Sequence, residues 1–175
     1  MATIYCSRFN FYAIALGTLM TIKLKFVFGF IPVPVFYTDF GFDPKGTVAG
    51  EARSVIIRIR PKYINDEGIL QHELNHIKQF YLPILLTLPI MFGLWYYLGY
   101  FDPVLAFVPA IGMLIHPLMY LLIERYRLWS EVDSYKIQLK YYADKVEKMK
   151  KFAYFISTKY RLHISETDAL ILLSK

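Results

Sequence analysis

From residue 81 to residue 123 the chain carries one charged side chain, Asp102. A chain of 175 residues has too little other material to bury such a stretch on all sides as a soluble helix pair. Aspartate followed by proline in "YFDPV" is a turn signal. It divides the stretch into apolar segments at about 81 to 101 and 104 to 123, each close to the roughly 20 residues of a spanning helix. Pro83, Pro89, Pro109 and Pro117 would kink soluble helices but are better tolerated in lipid-facing ones. The expectation is a membrane hairpin. An apolar fraction of 56%, against about 45–50% in soluble domains, points the same way.

The flanking segments read differently. Residues 1–36 form an apolar N-terminal segment, with Lys23 and Lys25 ending a run from Phe9 to Ile22 that is short for a span. No small-residue cleavage site follows it. An interfacial helix, a strand pair or a short anchor all fit, lying on a membrane or packed on the core. Residues 38–53 are rich in Gly, Asp and Pro and predict loop. In "SVIIRIRPKY", Val55, Ile57 and Ile59 share one parity and Arg58 and Arg60 the other, which predicts a half-buried strand over 54–60 ended by Pro61. Asn65 or Asp66 then caps a helix running to about Phe80. Beyond the apolar stretch, a long helix is expected from Glu124 to about Phe155, and a short last one capped by Ser165 with Asp168 three residues on.

The chemistry lies in "GILQHELNHIKQF". On a helix His72 and His76 stand one turn apart on one face, so both imidazoles can converge on one ion. Glu73 is rotated about 100° from His72, beside the ion, where it can take a proton from a bound water. Zinc suits such a site, because it takes nitrogen and oxygen ligands and lowers the pKa of its water to about 7. A catalytic zinc needs a third protein ligand and an open position. His116, His163 and a carboxylate are the candidates. His116 sits inside the second apolar segment and reads as a core residue. Glu131 is favoured, since a hairpin returns the chain to the side it left and brings the helix after it back toward the HELNH helix.

"GILQHELNHIKQ" followed, after a hydrophobic insert, by "WSEVDSYKIQL" resembles the gluzincin metallopeptidases. The likeness is strongest to small members encoded by phages or bacteria, and more distant to membrane-embedded heat-shock and CAAX-processing proteases. The resemblance covers about residues 46 to 140. It implies His72, His76 and Glu131 on zinc, with Glu73 as general base. Those membrane proteases place an acidic residue four after the ligand glutamate, to hold a zinc histidine. Here that position is Tyr135, with Ser134 before it and Asp133 out of phase. Tyr135, Ser134 and His163 are therefore the candidates for supporting the ligands or the transition state, and Tyr126 and Arg127 are further candidates for the latter.

The expected fold is α+β: a minimal zincin-like fold, mostly helical, with a small edge sheet before the HExxH helix and the apolar hairpin between the metal-ligand helices. One domain is expected, in four stretches: 1–36, 46–80 with strand and HExxH helix, 81–123, and 124–175 with the Glu131 helix and the last helix. The functional expectation is a zinc metallopeptidase acting on protein or peptide, with an extended substrate lying along strand 54–60 and Arg58 and Arg60 facing solvent or an acidic substrate. The alternative is a silent zincin-like scaffold, membrane-bound or virion-associated, with zinc as a staple. Membrane lipid is the expected partner. Residues 124 to 175 hold eleven Lys/Arg against seven Asp/Glu, but no nucleic-acid module accompanies that surplus, so nucleic acid is not expected. Lys78, Arg125 and Arg127 flank the hairpin and put the metal site on the cytoplasmic side. One cysteine, Cys6, excludes an intrachain disulfide.

Overall fold

The computed structural model describes residues 4–7, 10–15, 18–42, 48–100, 102–160 and 162–175, with side chains from Met20 onward. Residues 1–3, 8–9 and 16–17 of the N-terminal segment and 43–47 of the expected loop lie outside the described residues. The fold is α+β, as the sequence predicts. The chain forms two compact units: Met1–Ile77 with Ile137–Ala143, and Lys78–Lys136 with Asp144–Lys175.

The first unit is built on a six-stranded sheet in the order β1-β2-β3-β4-β6-β5. Strands β1 (Ile4–Ser7), β2 (Asn10–Ala15), β3 (Thr18–Val27) and β4 (Ile31–Tyr37) form an antiparallel meander, so the N-terminal segment takes the strand option. Strand β6 (Ile56–Ile59) runs parallel to β4, and β5 (Gly50–Arg53) pairs antiparallel with β6 at the margin. Alternation along the strands buries Val33, Val35 and Tyr37 of β4 and Ile57 and Ile59 of β6. The same unit buries Leu70, Leu74 and Ile77, spaced at four and three on helix α1 (Glu67–Leu98). Sheet face and helix stripe thus supply its apolar interior.

Three expectations for this region need correction. Val55 is exposed, because Ser54 and Val55 form the turn between β5 and β6 and Ser54 has φ 53°. The edge strand is β5, while β6, within the predicted strand, lies between β4 and β5. Arg58 and Arg60 do not project into solvent. Arg58 pairs with Glu51 across the strands and donates to the carbonyls of Phe40 and Gly41. Arg60 is buried, donating from Nε to the Val48 carbonyl at 2.7 Å and pairing with Asp39 at 3.2 Å. Both arginines brace the loops beside the sheet.

Helix α1 starts where predicted, with Asp66 accepting from the Ile69 amide at 3.0 Å. It does not stop near Phe80. It continues through Pro83 and Pro89 to Leu98, so the HELNH stretch and the first apolar segment are one helix.

The second unit begins with the apolar end of α1. Asp102 accepts from the Val104 amide at 2.9 Å and opens a short 3-10 turn at Pro103–Ala106, as the Asp-Pro signal predicts. Helix α2 (Phe107–Leu122) follows, then α3 (Glu124–Leu139) after a single extended residue, Ile123. The expected long helix from Glu124 is two helices. Asp144 accepts from the Glu147 amide and starts α4 (Lys145–Lys159), a capping pattern hidden inside a helix-like run. The last helix, α5 (Glu166–Ser174), is capped by Ser165 through the Asp168 amide at 3.1 Å, as predicted. Phe152, Ala153 and Ile156 of α4 and Ala169 and Leu173 of α5 are buried in this unit.

Glu67–Leu98 and Pro103–Leu122 are both long and apolar enough to cross a membrane. Leu82, Leu86, Ile90, Trp95, Phe107, Ile111, Leu114 and Leu118 expose their side chains along them. The two helices meet closely at Gly112. A Cβ there would stand 2.7 Å from Thr87 Oγ1, 2.9 Å from the Ile84 Cα and 3.1 Å from the Pro83 carbonyl oxygen. Backbone cannot swing aside as a side chain can, and a small residue at such a crossing is how apolar helices approach each other. Gly112→Ala is expected to destabilise the protein by about 1–3 kcal/mol through overpacking. Thermal denaturation in detergent measures this, and an unchanged midpoint would show that the two backbones are not in contact there.

Candidate metal centre

Helical periodicity brings the two histidines together. The Nε2 atoms of His72 and His76 lie 3.1 Å apart, with their rings edge to face at 4.9 Å between centroids. His72 and Glu73 are both buried. Burial first, and then the neighbouring His76, hold the His72 imidazole well below its usual range; a bond with the Gln138 side chain opposes them. The ring is therefore neutral, the form that binds metal.

In the same unit, a relay of hydrogen bonds supports His72. Gln138, at the end of α3, donates from Nε2 to the Tyr142 hydroxyl at 2.9 Å. The Tyr142 hydroxyl donates to Asp66 at 2.8 Å, the residue that also caps α1. Gly68 makes room for this arrangement, since a Cβ on it would meet Tyr142 Cζ at 2.8 Å. Glu73 has a close neighbour in β5. A Cβ on Gly50 would lie 3.1 Å from Glu73 Oε1, so the first residue of the edge strand leaves space for that carboxylate.

Glu131 sits on α3 with only 2% of its surface exposed. Tyr120, near the end of α2, donates its hydroxyl hydrogen bond to Glu131 Oε1. Burial first, then Glu131 and Tyr135, hold the Tyr160 phenol well above its usual range, so it is a neutral group beside the carboxylate. Flanking Glu131 on α3, Ser130 Oγ donates to Oε1 of Gln79 on α1 at 2.6 Å, and Gln79 Nε2 donates to Asp133 Oδ2 at 3.2 Å.

His72, His76 and Glu131 each offer one ligand atom, and these atoms all lie within 4.8 Å of one another. This is a group able to hold a metal ion. The other sequence candidates fall elsewhere. The Tyr135 hydroxyl shares a hydrogen bond with Tyr160 at 2.7 Å, and its ring stacks on Phe152. Ser134 is fully buried. His163 is exposed and paired with Glu124 at 3.1 Å, so it is not a member of the group. His116 is buried as expected, with Nδ1 2.8 Å from the Tyr126 hydroxyl. Arg127 donates to the Tyr120 carbonyl at 3.0 Å and so braces the end of α2.

Tyr120, Gln138 and Tyr160 were not singled out by the sequence. Gln138 had a readable signal, since it follows Glu131 by two helical turns and shares its face. Tyr120 reads as one more aromatic in an apolar run, and Tyr160 as a residue at a helix end. Comparison with known protein families, with curated proteins and with solved structures finds no match in any of the three.

The depressed His72 sets a pH dependence in the metal-free protein. Unfolded, the imidazole titrates near 6.5; folded, it titrates well below that. Below pH 6.5 the unfolded chain therefore binds more protons, and stability falls as pH drops toward the folded value. Denaturant titrations of metal-free wild type and His72→Asn between pH 5 and 8 test this. The variant is expected to lose part of the slope, and equal slopes would place the proton elsewhere.

Proposed function

We propose that the chain is a zinc-dependent peptidase, with His72, His76 and Glu131 holding the ion and Glu73 serving as general base. The observation that carries this reading is the approach of three ligand atoms to within 4.8 Å. Two imidazole nitrogens bound tetrahedrally to zinc stand about 3.3 Å apart, and the 3.1 Å between the Nε2 atoms is close to that. When bound, the ion supplies Lewis acidity, polarising a peptide carbonyl and lowering the pKa of a coordinated water toward 7. Glu73 accepts the proton of the attacking water and returns it to the amine that leaves as the C–N bond breaks. An extended peptide is placed by adding to the free edge of β5, whose first residue lies against Glu73.

The apolar hairpin is read as crossing a bilayer, with the metal centre on the cytoplasmic side. What supports this is the exposure of its side chains and the position of Lys78, Arg125 and Arg127 at its ends. From Tyr81 to Leu98 the helix rises about 27 Å, near the roughly 30 Å of a hydrocarbon core. A protein that elutes as a monomer without detergent would remove this part of the reading.

One observation favours the silent scaffold. The support for His72 comes from the amide of Gln138, and the Tyr135 hydroxyl is engaged with Tyr160. An amide orients an imidazole less strongly than a carboxylate does. Casein or a peptide library, tested with and without chelator, separates the two. Glu73→Gln is expected to lower turnover by about 10²–10⁴-fold while zinc stays bound, and Glu131→Ala is expected to lose the zinc. Chelator-sensitive cleavage supports the enzyme; one zinc per chain with no turnover supports the scaffold. Full activity in the Gln variant would remove Glu73 from the mechanism.

A further inference from the structure

We infer that Tyr120 is a positioning residue for the metal-ligating carboxylate, so that a side chain of the apolar hairpin sets how Glu131 presents itself to the ion. This rests on the metal reading above. A buried carboxylate can rotate about its last bond and offer an ion one oxygen or two. The Tyr120 hydroxyl donates to Oε1 and draws electron density from that oxygen. An oxygen so engaged competes poorly for a cation, which favours binding through one oxygen over binding through both.

The phenol is itself held in place. Arg127 donates to the carbonyls of Tyr120 and Leu121 at 3.0 and 3.3 Å, securing the last turn of α2. Arg127 also stands one turn before Glu131 on α3. On the other side of Tyr120, His116 lies one turn earlier with its ring 6.1 Å away, and Tyr126 in turn holds His116. The donor and the carboxylate it steers are thus fixed across the α2–α3 junction.

Full-length protein in detergent, titrated with Zn2+ against a competing chelator and separately loaded with Co2+, tests the role. In Tyr120→Phe, zinc affinity is expected to fall by about 10–100-fold, as for other outer-shell partners of a ligand. The visible Co2+ bands are expected to weaken, because a second carboxylate oxygen raises the coordination number. Unchanged affinity with an unchanged Co2+ spectrum would overturn the role while leaving the metal reading intact. Wild type that binds no metal would overturn both. Loss of metal accompanied by loss of the helical circular dichroism signal would also overturn it, showing that Tyr120 supports the fold and not the ligand.

Discussion

Glu131 is the group on which the architecture turns. A carboxylate removed from water costs several kcal/mol unless charge or hydrogen bonds compensate it, and this one is 2% exposed. Beside it stand the Tyr120 hydroxyl, which donates to Oε1, and the Tyr160 phenol, which burial keeps neutral. With His72 and His76, Glu131 forms a group able to hold a metal ion.

Polar side chains on α1 and α3, and on the residues that border them, form two local sets. Gln79, Ser130 and Asp133 form one hydrogen-bonded set, and Asp66, Gln138 and Tyr142 another. Such groups stabilise little in net terms, but removing one partner leaves the other desolvated, at about 1–3 kcal/mol. They therefore act on register more than on total stability. A one-residue slip of either helix would turn all of them away from their partners.

Much of this was legible in the sequence where a local rule carries the information. Helical spacing joins His72 to His76, Asp102 and Ser165 announce their turns, and alternation marks Ile57 and Ile59 as inward. The meander was not legible, for a physical reason. Strand β4 holds Pro32 and Pro34, which ordinarily argue against a strand inside a sheet. Both share one parity, and β6 pairs only with Val35, Phe36 and Tyr37, so their missing N–H groups interrupt no ladder there. The break between α3 and α4 was hidden because "ADKVE" keeps helical spacing while Asp144 caps a new start. Tyr120 was hidden because its importance is a contact with a residue 11 positions away across a helix junction.

Strand β5 is four residues long and lies at the margin of its sheet. So short a rim offers a visiting backbone only a few amide and carbonyl partners, and grip along it must be weak. Glu51 and Arg53 stand on the same strand, and charges on a bare border discourage two copies of a protein from zipping together. The border is thereby poorly suited to permanent pairing.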